Sequence, residues 1–172
     1  MSLDSSQKSL SPPQKLDSSH QLEEFDSGNH HLNDWLKRRA LKNEVSGASR
    51  TYVACVEGAV VAYYCLANGA IAQTTATGKI RRNMPAPIPA MVIGRLAVDS
   101  RWQGQGLGRA LLRDAILRTL QAAEIARIRA ILVHAISEEA KQFYLKCGFA
   151  TSPLDSMTLM IRVSDAAAAI AV

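Results

Sequence analysis

In the first half of this chain, the apolar residues are first spaced as in a helix and then alternate as in strands. This spacing predicts a helix followed by β-strands. A short strand is predicted near Leu16. A turn at 25–29 then precedes a helix whose apolar positions 32, 35, 36 and 40 share one face. β-Branched and aromatic residues at 51–55 and 60–66 predict a hairpin, and 70–75 predicts a third strand. Residues 78–89 are basic and then proline-rich, which predicts a loop or an extended lid.

The second half alternates strands with helices. Strands are predicted at 91–98, 128–133 and 157–163, with one helix beginning near Gly108 and another capped by Ser137 and ended by Gly148. Because a helix separates the first two of these strands, they pair in parallel. The pattern predicts an α/β (α+β) fold with a mixed central sheet flanked by helices. It forms one domain over 16–163, between a disordered tail at 1–15 and a C-terminal tail at 164–172.

The junction between the strand at 91–98 and the following helix carries three alternating glycines, Gly104, Gly106 and Gly108. Backbone N–H groups at a helix N-terminus lack intrahelical partners, so this loop is suited to bind an anion such as phosphate. The loop lacks the Gly-Lys-Ser/Thr of a P-loop, since Arg109 follows its last glycine. It also lacks the G-x-G-x-x-G spacing of a dinucleotide fold. The alternative is a turn that merely connects strand to helix.

Composition narrows the class of protein. The chain has 172 residues, 48% of them hydrophobic, with no apolar run of membrane-spanning length and no secretory pattern at its start. Its three cysteines lie far apart without a C-x-x-C pair, so we expect neither a metal site nor a disulfide framework. A cytoplasmic location fits these features.

The net charge of +5 is concentrated in two clusters. We name them the helix cluster (Lys37, Arg38, Arg39, Lys42) and the loop cluster (Lys79, Arg81, Arg82). Such clusters suit a polyanion such as RNA, although a run of charge is more often a solvated face.

Two motifs resemble the GNAT superfamily of acetyl-CoA-dependent N-acetyltransferases. They are R-x-x-G-x-G at 101–106, after a strand, and F-Y-x-x-C-G-F at 143–149. The flanking segments 25–29, 81–85 and 94–99 are similar to those of GNAT toxins from bacterial toxin–antitoxin pairs. The resemblance covers about residues 16 to 163.

The resemblance implies a GNAT fold with splayed parallel strands at the acetyl-CoA site, acetyl-CoA as co-substrate and no metal. It implies pantetheine along Leu96, Ala97 and Val98, and pyrophosphate on the amides of Gln103, Gly104, Gln105, Gly106, Leu107, Gly108 and Arg109. It implies that Tyr144 protonates the departing thiolate. It further implies acetylation of the α-amine of aminoacyl-tRNA, which blocks translation, a ribbon-helix-helix antitoxin as partner, and a homodimer.

Several assignments have alternatives. Tyr144 also fits an apolar helical stripe, His134 at a strand end is more often structural, and Arg95 either lines the acceptor site or pairs in the core. No carboxylate stands out as a general base, and Asp99 and Glu138 are unproven candidates. This absence favours an α-amine acceptor, because its ordinary pKa of about 8 leaves a neutral fraction at pH 7, unlike that of lysine.

Two other functions compete with a toxin that acetylates aminoacyl-tRNA. One is a GNAT enzyme that acetylates a protein N-terminus or a small amine. The other belongs to a different class, a non-catalytic protein that acts with a bound antitoxin as a co-repressor on DNA. The co-repressor role can coexist with that of a toxin, in which the basic clusters would bind tRNA phosphates.

Overall fold

The structure, a computed structural model, describes residues 9–84 and 86–170. Its helices are α1 (His30–Arg38), α2 (Ala40–Ser46), α3 (Gly78–Arg81), α4 (Leu107–Ala126), α5 (Glu138–Lys146) and α6 (Val163–Ile170). Its strands are β1 (Gln14–Lys15), β2 (Arg50–Val56), β3 (Ala59–Ile71), β4 (Ile88–Val98), β5 (Ala130–His134), β6 (Ala150–Thr151) and β7 (Thr158–Arg162).

The seven strands follow the order β1-β2-β3-β4-β5-β7-β6. β4 and β5 pair in parallel, whereas β1–β2, β2–β3, β5–β7 and β6–β7 are antiparallel. The predicted mixed sheet is therefore confirmed. Among the helices of the described ranges, none combines the length and hydropathy that crossing a bilayer requires.

The chain forms two compact units. Residues up to Leu66 together with Arg95–Leu112 make the first unit, and Ala67–Gly94 together with the residues from Arg113 onward make the second. β3, β4 and α4 each continue from one unit into the other along the chain. Each unit is thus built from two separated stretches of sequence, and the single domain over 16–163 stays a prediction.

The first unit is held by an aromatic core beneath the predicted hairpin. β2 pairs with β3 from Arg50↔Leu66 to Val56↔Ala59. The Tyr63 ring stacks on Trp35 with centroids 5.9 Å apart, and its hydroxyl donates to the Leu32 carbonyl at 2.6 Å. Burial raises the pKa of Tyr63. The apolar face predicted for the first helix is buried as expected.

The second unit is centred on β5. β4 pairs with it from Ala90↔Ala130 to Ile93↔Val133, and β7 pairs along its other edge. The last five residues of β4, from Gly94 to Val98, extend beyond the final β5 partner.

Several predicted boundaries are wrong. The helix expected over 32–40 is two helices, because Arg39, with φ −119°, interrupts it. The third strand expected at 70–75 is the end of β3, and residues 73–75 form a turn. The strand continues through Gly69, and the residue there is glycine because a Cβ would come within 2.7 Å of Val92 Cγ2. β6 was not expected.

The predicted tails and loop also need correction. Residues 9–15, expected in the disordered tail, are ordered: β1 lies directly before Leu16, near which a short strand was expected, and Ser11 donates its amide to the Cys55 carbonyl at 2.8 Å. Residues 164–170 belong to α6, while 1–8 and 171–172 lie outside the described residues. The loop at 78–89 contains α3 and the start of β4, and Pro85 within it is not described.

A buried carboxylate fixes the start of the glycine-containing loop. Asp99 is 1% exposed and accepts four hydrogen bonds, from the amide, Nε and Nη2 of Arg101 and from the amide of Asp26, at 2.9–3.1 Å. Burial raises the pKa of Asp99, but these donors outweigh it, so the pKa lies below its ordinary value. The carboxylate therefore joins the turn before α1 to the residues after β4.

We expect Asp99→Asn to lower the free energy of unfolding by about 2 kcal/mol near pH 7, because an amide presents a donor to groups that all donate. A carboxyl with a lowered pKa stabilises the fold above its ordinary pKa of 3.8, and this stabilisation is lost as pH falls through the lowered value. The difference between the two proteins should therefore shrink in acid. Urea unfolding at several pH values measures it.

Asp114→Asn is the matched control. Asp114 pairs with Arg118 one turn away on α4, where both side chains are partly exposed, so we expect about 0.5 kcal/mol. Equal losses in the two variants would contradict the role given to Asp99.

Candidate active site

The glycine-containing loop runs from the end of β4 to the start of α4. After Asp99 comes a 3₁₀ turn, Ser100–Trp102, followed by exposed residues from Gln103 to Gly106. Gly104 and Gly106 have φ values of 79° and 81°, which L side chains rarely adopt, and a Cβ on either would meet open space. The backbone conformation, rather than crowding, requires glycine there, and it leaves the loop open to a ligand.

Backbone amides gather at the end of this loop. The Ala110 amide donates to the Gly106 carbonyl at 3.1 Å, which is the first hydrogen bond of α4. The amides of Leu107, Gly108 and Arg109 precede it and so have no intrahelical acceptor. A helix of 20 residues also places a partial positive charge at this end. The arrangement suits a phosphate or pyrophosphate.

The side chain of Gln103 braces the loop against two other segments. Its Nε2 donates to the Ser27 carbonyl at 3.0 Å and to the Val98 carbonyl at 2.8 Å. Ser100 further bonds the Asp26 carbonyl through its amide and hydroxyl. The loop conformation is thus tied to the turn before α1 and to the end of β4.

The strand residues predicted to contact pantetheine occupy the last part of β4. Ala97 is buried in the aromatic core of the first unit, while Leu96 and Val98 are half-buried. The Asp99 amide donates to the Val61 carbonyl at 2.8 Å, which continues the pairing of β4 with β3 to this point. Within the described residues, the last pair of the β4–β5 ladder is Ile93↔Val133.

Arg95 stacks over an aromatic ring of the first unit. Its guanidinium carbon lies 4.4 Å from the centroid of the Trp35 ring, a cation–π contact. This geometry favours packing over the acceptor-lining alternative. Its assignment as a substrate-binding residue stays a prediction.

The helix cluster is distributed over two helices rather than one. Lys37 and Arg38 end α1, Arg39 follows it, and Lys42 lies on α2. All four side chains are exposed. Arg38 also pairs with Asp34 at 2.8 Å, so the cluster is partly neutralised.

The loop cluster belongs to α3 and the residue after it. Arg81 and Arg82 are exposed, and Lys79 pairs with Asp165 of α6 at 3.1 Å. A cavity of about 500 Å³ lies here, lined by Gly78, Lys79, Arg82, Asn83 and Arg162. Arg162, which sequence reasoning missed, contributes a third cation to this cavity.

Tyr144 lies on α5 with only 7% of its surface exposed. Its ring is 5.2 Å from that of Phe143 and 5.4 Å from that of Phe149, and its carbonyl accepts the Phe149 amide at 3.1 Å. Ser137 caps the helix as predicted, accepting the Ala140 amide at 3.1 Å. Tyr144 is thus largely buried against Phe143 and Phe149, as its place on the apolar stripe of the helix predicts.

Both candidate general bases, Asp99 and Glu138, accept hydrogen bonds from other groups of the protein. Asp99 is buried among four donors, which removes it as a base. Glu138 accepts from Gln142 one turn along α5 at 3.0 Å and is exposed. In the part of the chain that the structure describes, no three His, Cys, Asp or Glu side chains are grouped so that they could share a metal ion.

His134 belongs to a hydrogen-bonded chain that sequence reasoning missed. Its Nδ1 lies 3.0 Å from the Thr158 hydroxyl oxygen, and that hydroxyl donates to Asp155 Oδ2 at 3.0 Å. Asp155 also accepts the Met157 amide, an Asx turn that the segment Asp155-Ser-Met indicates in sequence. The contact between His134 and Thr158 joins residues that are 24 apart in sequence, so this local segment could not predict it.

Comparison with known proteins gives the same family. A model described as an acetyltransferase (GNAT) domain matches residues 47–151. A tRNA-acetylating toxin of Mycobacterium tuberculosis is 48% identical over 160 residues, which are 93% of this chain and 96% of that protein.

Solved structures of the toxin AtaT match the whole fold. AtaT complexed with acetyl-methionyl-tRNAfMet is 25% identical with a TM-score of 0.86, over 94% of this chain and 99% of its own. AtaTR bound with acetyl-CoA is 26% identical with a TM-score of 0.82, over 94% and 98%. A Tyr-to-Phe variant of AtaT bound to the C-terminus of the antitoxin AtaR is 26% identical with a TM-score of 0.80, over 92% and 95%.

The sequence of β4, glycine-containing loop and α4, the strand order of the sheet and these likenesses all indicate the same family. The chain belongs to the GNAT family of acetyltransferases.

Proposed function

We propose that this acetyltransferase is a toxin that transfers the acetyl group of acetyl-CoA to the α-amine of an aminoacyl-tRNA and thereby blocks translation. The observation that carries the donor half is the open loop of backbone amides at the start of α4. The acceptor half rests on the relative from M. tuberculosis, whose 48% identity extends over nearly the whole chain.

The residues present fit acetyl-CoA. The amides from Gln103 to Arg109 would hold its pyrophosphate, because the loop is exposed and a Cβ at Gly104 or Gly106 meets nothing within 4 Å. The backbone of Leu96, Ala97 and Val98 would hold the pantetheine arm along the part of β4 beyond its β5 ladder. Bound there, acetyl-CoA supplies a thioester carbonyl that an amine can attack.

Two groups of the chain would assist the transfer. An N–H near Ala97 or Val98 would stabilise the oxyanion that develops on the thioester oxygen. The Tyr144 hydroxyl would protonate the departing thiolate, since a phenol of ordinary pKa near 10 can donate a hydrogen bond or a proton to a thiolate of pKa near 8.5. Its confinement between aromatic rings would keep that hydroxyl oriented.

The acceptor would be held by charge. The exposed cations of the helix cluster, and Arg81 and Arg82 of the loop cluster, suit the phosphates of tRNA. AtaT, to which the chain is similar, has been solved with acetyl-methionyl-tRNAfMet. A tRNA substrate would also place the protein in the cytoplasm.

We further propose the assembly that accompanies such a toxin. A ribbon-helix-helix antitoxin would neutralise the protein, and two copies of the chain would form a homodimer. The support is the likeness to AtaT bound to the C-terminus of AtaR, together with the family resemblance.

We expect Tyr144→Phe to lower kcat for acetylation of charged tRNA by about 10²- to 10⁴-fold, because the proton donor to sulfur is lost while the ring remains. Labelled acetyl-CoA, charged tRNA and purified protein measure it directly. The variant should be non-toxic on expression and still bind the antitoxin.

Tyr52→Phe is the matched control, since Tyr52 lies on β2 outside the proposed site and should keep wild-type activity. Full activity of the Tyr144 variant would show that Tyr144 is a packing residue. No transfer to charged tRNA by the wild-type protein would overturn the acceptor assignment.

We expect the double variant Lys37→Glu, Lys42→Glu to raise KM for charged tRNA about tenfold or more and to flatten its dependence on salt. Each lost phosphate contact lowers the salt slope by about one. KM for acetyl-CoA should not change. Steady-state kinetics between 50 and about 200 mM salt test this range.

Arg129→Glu serves as the control, because Arg129 is exposed but belongs to neither cluster. If the double variant and the control have the same KM and salt slope, the helix cluster is an ordinary solvated face.

A further inference from the structure

His134 occupies a position in the second unit where ligands bind in parallel sheets. The β4–β5 ladder ends at Ile93↔Val133, so His134 is the first β5 residue beyond the last β4 partner. In open α/β sheets, ligands bind at the carboxyl ends of such strands. The His134 side chain is exposed there.

The hydrogen-bonded chain behind His134 determines which ring nitrogen carries the proton. Hydrogen bonds from the Met157 amide and the Thr158 hydroxyl lower the pKa of Asp155, so it is a carboxylate at neutral pH and can only accept. The single hydroxyl proton of Thr158 therefore points to Asp155. Its oxygen must then accept from His134, which requires the proton on Nδ1.

The neutral ring consequently keeps a lone pair on Nε2. An Asp–Thr–His chain of this kind orients the imidazole and stabilises positive charge on it after it takes a proton. Thr158 is 4% exposed, so water competes little for its hydroxyl. If this hydrogen bond only linked β5 to the turn at 155–158, any donor at the Nδ1 position would suffice. An asparagine amide would also supply such a donor.

We propose that His134 Nε2 is the general base that takes a proton from the α-ammonium of the acceptor, an inference that rests on the proposed function. The freed amine forms a bond to the acetyl carbon, and the C–S bond breaks with its electron pair on sulfur. The Tyr144 hydroxyl gives sulfur a proton, and its oxygen regains one from the acetylated nitrogen. The proton on His134 leaves to solvent.

The decisive variant is His134→Asn, which keeps a donor to Thr158 but has no basic nitrogen. At pH 7 we expect kcat/KM for charged tRNA to fall about tenfold, because only about a tenth of an amine with an ordinary pKa near 8 is neutral at that pH. The deficit should shrink as pH rises past the ordinary α-amine pKa of about 8, where the acceptor is already neutral. Added imidazole should restore part of the rate, and KM for acetyl-CoA and the melting temperature should stay at wild-type values.

Thr158 tests the positioning step. Thr158→Val, which removes the hydroxyl link, should lower kcat without changing KM for acetyl-CoA, and Thr158→Ser should restore it. Wild-type kcat/KM at pH 7 in His134→Asn, with a wild-type protein that does acetylate charged tRNA, overturns the base assignment and leaves the proposed function intact.

A spectroscopic measurement tests the inference independently of any acceptor. Nitrogen NMR of histidine-labelled protein should show the neutral His134 ring protonated at Nδ1, and Thr158→Val should shift the population towards protonation at Nε2. A neutral wild-type ring protonated at Nε2 would overturn the inference, because that nitrogen would have no lone pair to offer. Failure of the wild-type protein to acetylate charged tRNA would instead overturn the proposed function.

Discussion

The buried carboxylate of Asp99 is the constraint around which the first unit is arranged. It brings four donors to one point, among them the backbone amide of Arg101 and that of Asp26, which is 73 residues from Asp99 in sequence. A buried ion without these partners would be strongly unfavourable, so the chain after β4 and the turn before α1 are fixed together. The side chain of Gln103, which donates to the Ser27 and Val98 carbonyls, fixes the glycine-containing loop to the same two segments. An open loop can thus be presented in a fixed shape, which backbone recognition of a pyrophosphate requires.

The proposed enzyme uses its backbone and its side chains for different tasks. Backbone amides and carbonyls would bind acetyl-CoA, whose structure does not vary. Recognition of this co-substrate would therefore depend little on side chains. In the proposed mechanism the acceptor half relies instead on the exposed cations of the two basic clusters and on His134. That half can change with few substitutions, since exposed lysines and arginines contribute little to stability.

The sequence predicted the parts of this protein that follow from local rules. Alternation, helical spacing and capping identified the hairpin, β4, α4 and α5, and Gly148 was correctly expected to end α5 with a positive φ. The prediction failed where tertiary contacts decide: β3 continues through Gly69, where a Cβ would clash with Val92, and residues 9–13 are ordered by contacts such as that of the Ser11 amide with the Cys55 carbonyl.

The same limit applies to the site. Glycine spacing and an F-Y-x-x-C-G-F motif were enough to predict the loop and Tyr144 as candidates. Asp99 was misjudged as a possible base because its partner amide at Asp26 is remote in sequence. The Asp155–Thr158–His134 chain depends on the β5–β7 register, His134↔Thr158, which no local pattern specifies.

The interleaving of the two units has a consequence for synthesis on the ribosome. The first unit needs Arg95–Leu112 before Asp99 can meet the Asp26 amide, so α1 and the hairpin leave the exit tunnel well before the loop that would bind acetyl-CoA can take its shape. A nascent chain therefore passes more than half of its length without a complete donor site. If the protein stops translation, the ribosome that synthesises it would therefore have translated most of the message before the donor site could form.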